Sequence, residues 1–205
     1  MHPAEEPALA RSEWIVLSLV CEGPTHGNAV SRLVGPDGDL GRIWRVQKGV
    51  VYRGLDRLSD FGLIRSAGEE PSPQGPVRFL VEATEAGRAA AVSWQHRPVR
   101  HTRDIRSELL VKLALLDRSG GDPHDLLVAQ HGLLVPIASG LRDRMATVAG
   151  FDRTLLLWRY ETASATVRFL DDLVLTPPRS GGPSRAASSA PTSRAPEDKL
   201  GLCDQ

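Results

Sequence analysis

The residues best suited to chemistry in this chain crowd into one stretch, "QKGVVYRGLDRLSDFGLIR", from Gln47 to Arg65. Lys48, Arg53 and Arg57 are pure donors. A guanidinium matches a phosphate, or the acceptor edge of a base, with two parallel hydrogen bonds. Residues 42 to 65 hold six basic side chains (Arg42, Arg45, Lys48, Arg53, Arg57 and Arg65) against Asp56 and Asp60, a net +4. Residues 1 to 87 hold nine basic and twelve acidic groups, a net −3, and the whole chain nets zero. The positive charge is focused rather than spread, which suits an anionic partner on one face.

Other chemistries find little support. The six histidines are scattered: His96 and His101 lie five apart, and His124 and His131 seven apart. Neither spacing is the i,i+4 of a helical metal pair, and no cysteine lies near. Neither a Gly-rich phosphate loop nor a nucleophile elbow occurs. The expectation is a chain that is not an enzyme and holds no metal or cofactor. Cys21 reads as a small core residue on the first helix, and Cys203 as an exposed thiol with nothing near to activate it. Two cysteines are too few for a disulfide scaffold. The start, "MHPAEEPALARSEW", lacks the basic and apolar parts of a signal peptide, and no apolar run is long enough to span a bilayer. A cytoplasmic address is expected.

The elements that must position the basic stretch follow from periodicity. A first helix is expected over Ala8 to Glu22, with Trp14, Leu17 and Val20 or Cys21 on one stripe, widened by Ile15 and Leu19. Gly23-Pro24 breaks it. Thr25 suits the N-cap of a second helix, His26 to Val34. After the loop "GPDGDLG", a third helix runs from Gln47 to Phe61. Val51, Leu55 and Leu58 turn inward, and Gly62 is placed as the left-handed residue past its end. At about 100° per residue, Arg53 and Arg57 lie opposite that inward stripe. "LIRS" and "VRFLVE" read as two strands around the loop "AGEEPSPQGP", and Thr84 opens a further helix. Three helices and a β-hairpin make a winged helix-turn-helix, whose third helix enters the DNA major groove. In that frame Lys48, Val50 and Arg53 approach base edges, Tyr52 and Arg57 touch phosphates, Arg78 on the wing reaches the backbone, and Gln47 at the start of the helix joins the DNA-binding set. The bland alternative is a solvated face, with Arg53 and Arg57 paired to Asp56 and Asp60.

Residues 101 to 175 read as a helical half. "DIRSELLVKLALLDRS" carries Ile105, Leu109, Leu113 and Leu116 in register. A helix with Pro136 and Gly140 in its middle follows "GGDP". The last helix, Phe151 to Val174, is apolar on two sides. Phe151, Leu155, Trp158, Thr162, Ala165, Phe169 and Leu173 form one side, and Leu156, Ala163, Val167 and Leu170 the other. Two apolar sides need two surfaces: the chain's own core and a second subunit. Phe151, Leu155, Trp158, Phe169 and Leu173 are the expected dimer contacts. The fold class is therefore mostly α: a winged helix-turn-helix over 11–100 with a two-stranded wing, then a helical dimerisation domain over 101–175. A flexible start over 1–10 and a Pro/Ser/Gly/Ala-rich, disordered tail over 176–205 complete the division.

The order of motifs resembles the PadR family of bacterial transcriptional regulators. Gly23-Pro24, then His26-Gly27, then Gly49, Tyr52, Leu55 and Leu58 closing on Gly62-Leu63-Ile64, then Thr84-Glu85-Ala86-Gly87 carry the likeness, over about residues 11 to 90. The resemblance implies a dimeric repressor or activator on a palindromic operator, with a helical half that pairs the subunits. It also implies a planar or phenolic effector near the dimer interface. Trp94 and Trp158, core residues in the plain reading, are the candidates for that contact. Three positions depart from the family pattern. Asn28 stands where an aromatic is usual, Phe79 where a tyrosine is usual, and Gln47-Lys48 in place of a Ser-Pro-like cap. These departures change which side chains reach the bases, so the family's operator sequence does not carry over to this chain. The alternative function is a winged helix used to bind protein without direct operator contact.

Overall fold

The first helix is the hub. In the computed structural model, which describes residues 8–71 and 77–175, α1 (Arg11–Val20) buries every residue from Glu13 to Val20. A helix apolar nearly all round must be surrounded. Packed against it are α2 (Gly27–Leu33), α3 (Lys48–Asp60), α4 (Glu85–His96), α6 (Leu110–Ser119) and strand β2 (Arg78–Ala83). The expected tail 176–205, residues 1–7 of the expected flexible start and residues 72–76 of the hairpin tip lie outside the described residues. Leu9, inside that expected flexible start, packs against the first core.

The helix-turn-helix departs from expectation at one cap. His26, not Thr25, caps α2: its Nδ1 accepts the Ala29 N–H at 3.2 Å. Thr25 is spent elsewhere. Its N–H donates to the Val81 carbonyl at 2.9 Å, and its carbonyl accepts the Val81 N–H at 2.7 Å. Thr25 thus stitches the turn to the wing as a third, one-residue edge. At the far end of α3, Gly62 takes the left-handed conformation (φ 66°) that ends the helix.

The wing pairs β1 (Ile64–Glu70) antiparallel to β2, with Ile64 opposite Ala83 and Glu70 opposite Arg78. The first strand outruns the expected "LIRS": Ala67 to Glu70, read as loop, continue it past a bulge between Ser66 and Gly68. Thr84 then does two jobs. Its hydroxyl accepts the Gly87 N–H at 3.1 Å as the cap of α4, and it donates back to the turn after α3, 2.8 Å from the Gly62 carbonyl.

The helical half opens with a short turn, α5 (Thr102–Asp104), a π turn over Ile105–Leu109, then α6. The expected single helix from Asp104 therefore carries one wide turn. α7 (His124–Met145) runs through Pro136 without breaking, although proline supplies no N–H to the ladder. α8 (Gly150–Leu175) returns antiparallel to it, with His131 meeting Asp171 and Arg142 meeting Tyr160. The winged helix-turn-helix with helices behind it is the fold class expected from the sequence.

Two cores result, and α6 belongs to both. Val111 and Leu115 join the core around α1. Leu109 and Leu116 join a second one with Val99, Ile105, Leu126, Leu127, Leu134 and Leu170. Buried Gln130 closes the second core at its seam with the winged half. It accepts the Val99 N–H at 2.7 Å and donates to the Val99 carbonyl at 3.0 Å. Both backbone groups of a buried linker residue are thereby satisfied.

Candidate nucleic-acid interface

α3 is amphipathic in the sense required. Val51, Gly54, Leu55 and Leu58 are buried, while Gln47, Lys48, Tyr52 and Arg53 are exposed. The helix is held close to α2 because a Cβ on Gly27 would sit 2.8 Å from the Tyr52 ring. That contact gives the His26-Gly27 pair its physical reason and fixes where Tyr52 points. Lys48 reaches over the same ring, 5.9 Å from its centre. Arg53 forms no ion pair among the described residues, so Asp56 does not hold it.

The other expected contacts fare differently. Val50 is half-buried and leans on the first core. Arg57 turns to α1, where it donates to a Glu13 carboxylate oxygen at 3.2 Å and to the Ala8 carbonyl at 3.1 Å. Its guanidinium also lies 5.4 Å from the centre of the Phe61 ring. Glu13 is fixed in turn, since its other oxygen accepts the Ala10 N–H at 2.7 Å. The wheel places Arg57 opposite the core stripe, but α1 begins beside the C-terminal half of α3 and takes the charge. Arg78 on the wing lies loosely against Glu70 at 3.6 Å, and Arg65 is paired with Glu82 at 2.7 Å.

The sequence reading misses a groove next to the start of α3. Asn28, Ser31 and Arg32 from α2, Gly35 to Asp37 from the loop, and Arg45 to Lys48 line about 670 Å³. It misses a second cavity, of about 360 Å³, where the winged half meets the helical one. Trp14 and Trp94 form part of its lining, their rings parallel to within 4° and 5.7 Å apart. Arg11, Arg97, His101, Asp104 and Glu108 surround them. Arg11 spans the junction, 2.9 Å from Asp104 and 3.4 Å from Glu108. Lys112, 1% exposed, sits behind, with Nζ 3.0 Å from Glu108 and 2.7 Å from the Arg97 carbonyl. Its ammonium is 4.7 Å from the Trp94 ring centre. Trp94, the candidate effector contact, lies in this place, and a lysine inside an apolar register on α6 is a second signal of it in the sequence.

Trp94 and Trp158 do not come together within the chain. Trp94 is buried at the junction, whereas Trp158 is 72% exposed on α8. The side of α8 carrying Leu156, Ala163, Val167 and Leu170 faces the chain's own helices. On the other side Phe151 is 78% exposed, and Phe169 is exposed as well. Leu155 is half-buried, and Leu173 packs on the second core. Beside Phe169 an apolar groove of about 440 Å³ runs between Thr102, Ile105 and Leu110 on one wall and Thr162, Ala165 and Thr166 on the other.

Residues 16–92 match the model of the Transcriptional regulator PadR-like family. This segment belongs to that family. It spans the second half of α1, the helix-turn-helix, the wing and most of α4, so the exposed face of α3 lies inside the PadR-like part. Among curated proteins, none matches the chain. Three solved structures are similar to it. Bacillus subtilis PadR in complex with operator DNA is 16% identical, with a TM-score of 0.43 over 82% of this chain and 99% of that one. Bacillus subtilis PadR in complex with p-coumaric acid is 17% identical, with a TM-score of 0.37 over 83% and 97%. The protein smu.1604c from Streptococcus mutans UA159 is 14% identical, with a TM-score of 0.39 over 80% and 98%. The PadR-like family is one of transcriptional regulators. No helix among the described residues is long and apolar enough to cross a membrane.

Proposed function

We propose that this chain is a sequence-specific DNA-binding repressor that acts as a symmetric dimer on a palindromic operator in the cytoplasm. The observation that carries the reading is the outer face of α3. Lys48, Tyr52 and Arg53 stand exposed on a helix whose opposite side is locked into the PadR-like core. In this role Gln47, Lys48 and Arg53 read base edges and Tyr52 touches a phosphate. Arg78 follows the backbone from the wing. Arg57 drops to a supporting part, because Glu13 and the Ala8 carbonyl already hold it.

Dimerisation follows from α8. Phe151, Leu155, Trp158 and Phe169, with the groove beside Phe169, form an apolar surface that a second copy would cover. A two-fold axis there would set two α3 helices about 34 Å apart, or a multiple of that, to match a palindrome. The effector belongs at the junction cavity. Its parallel tryptophans suit a planar molecule, and Arg11 and His101 suit an acidic one. Trp158 then serves the subunit seam and not the effector.

The test is binding of duplex DNA from upstream of its own gene, followed by fluorescence anisotropy across salt concentrations. The expected result is tight binding that weakens steeply with salt and favours a palindrome over random sequence. Binding without salt dependence, or none at all, would favour the protein-interaction alternative.

A further inference from the structure

The groove beside the start of α3 is a built surface. Its floor is tied together by backbone hydrogen bonds. The Val46 N–H donates to the Val34 carbonyl at 3.0 Å, and the Leu40 and Gly41 N–H groups donate to the Leu33 carbonyl at 3.1 and 3.3 Å. Leu40 is fully buried beneath the loop. The loop is folded so tightly that a Cβ on Gly41 would overlap the Gly35 carbonyl oxygen. The side chains around the groove are therefore presented from a rigid base.

Their chemistry is cationic. Arg32, Arg45 and Lys48 line it against a single acid, Asp37. Arg32 and Arg45 are exposed and form no ion pair among the described residues. The loop's other acid, Asp39, is drawn off by Arg118 of α6 at 3.4 Å, which also grips Glu22 at 2.7 Å. The exposed Asn28 amide adds a neutral donor. Ser31 does not, because its hydroxyl already donates to the Gly27 carbonyl at 2.7 Å.

We propose that this groove is a second DNA contact, which holds the sugar–phosphate backbone through Arg32 and Arg45 while α3 enters the major groove. The proposal rests on the DNA-binding reading above and assigns residues that reading leaves out. Lys48 belongs to both surfaces, so a duplex on α3 continues into the groove. When the second helix of such a pair lies in the major groove, the first crosses the backbone. Here that crossing brings the last turn of α2, with Arg32, to a phosphate. Two guanidinium forks about one acid suit a singly charged phosphodiester repeated along a strand. Asp37 then sets a limit, since its charge opposes each phosphate that enters.

The experiment uses the full chain, the operator duplex and a random duplex, with anisotropy read from low to physiological salt. Arg32→Ala and Arg45→Ala should each weaken both duplexes by the same factor, roughly tenfold. Each should also lower the salt slope by about 1. The preference for operator over random DNA should hold. Asp37→Asn should tighten both duplexes, a gain that a poorly folded variant cannot mimic. Arg53→Ala is the control on α3 and should cut the operator preference. If Arg53→Ala weakens operator binding while the two groove arginines and Asp37→Asn change nothing, the groove proposal is wrong and the DNA reading stands. If the arginine variants alter operator preference, they read bases and the backbone assignment is wrong. If the unmodified chain shows no salt-dependent binding, both fall together.

Discussion

The winged half and the helical half solve the same problem to different degrees. The winged half wraps α2, α3, α4 and β2 around α1 and leaves a polar, cationic outer face on α3. Its core closes within one chain, although Phe61 at the end of α3 and Phe79 on the wing stay exposed. The helical half buries one side of α8 and leaves the other bare, with Phe151, Leu157, Trp158, Phe169 and Leu175 exposed. The difference is the physical ground for proposing a different kind of partner for each half. A finished core with an exposed charged face is ready for a polyanion that gives its energy on arrival. An unfinished apolar face asks for a partner that stays.

The largest effect should come from splitting the two sides of α8. Leu170→Ala empties a fully buried position and should cost about 2–5 kcal/mol of unfolding free energy in urea. Trp158→Glu with Phe169→Glu touches the exposed side only. It should leave the circular dichroism of the chain unchanged yet convert a dimer to a monomer in light scattering. Loss of helix in the double variant, or a monomeric parent, would erase the contrast between the sides.

The seam between the halves comes next. Gln130→Ala strips both partners from the buried Val99 backbone and should cost about 1–3 kcal/mol. Gln130→Glu keeps the acceptor for the Val99 N–H but sets a second oxygen against the Val99 carbonyl in a buried site, and should cost at least as much as the alanine variant. A loss below about 0.5 kcal/mol for the alanine variant would mean that water replaces the amide without penalty.

The two arginines of α3 sharpen the comparison within the winged half. Arg53→Ala should weaken operator binding by about 1–3 kcal/mol with stability unchanged. Arg57→Ala should do the reverse. It should cost at most about 1 kcal/mol of stability, because the Glu13 pair is half in solvent, and scarcely alter DNA affinity. Equal binding losses for the two would show that Arg57 leaves Glu13 when DNA arrives.

What the sequence made legible was what neighbours along the chain decide. The inward stripe of α3, the Gly62 stop and the Thr84 cap are set by residues within a turn or two, and each appears where expected. What it hid depends on partners far along the chain. Thr25 looks like a cap until Val81 claims its backbone. Arg57 looks free until Glu13, on another helix, is beside it. Lys112 looks like a solvated charge on an apolar helix until Glu108, the Arg97 carbonyl and Trp94 enclose it. The two sides of α8 were both readable as apolar. The side expected to face a second subunit is the one left with Phe151, Trp158 and Phe169 exposed, but Leu173, expected on that side, packs on the chain's own second core, because the angle at which α8 returns on α7 decides the last turn. Burial also changes the chemistry of one thiol: it pushes Cys21 up to about 11, against a smaller opposing pull from Arg88, so the group stays protonated and packs as an apolar residue.

The smallest expected effect is a pH dependence at the joint between α2 and the wing. The neutral His26 ring caps α2 by accepting the Ala29 N–H. Partial burial holds its pKa below the ordinary 6.5, with the nearby charges of Arg78 and Arg32 adding to the shift and Glu70 opposing it. The folded chain therefore binds this proton less readily than the unfolded one. The stability His26 contributes is complete above pH 6.5 and fades as pH falls through its lower folded value. Protonation removes the acceptor and sets a positive charge at a helix N-terminus, so both changes act in one direction. Between pH 7.5 and 5 the parent should lose more of its urea midpoint than His26→Ser, whose hydroxyl caps in either state. Other carboxylates and histidines titrate alike in both chains and cancel in the difference. Identical losses for the two proteins would mean that the ring does not act as the cap in solution, and that the turn is held by the Thr25–Val81 bridge alone.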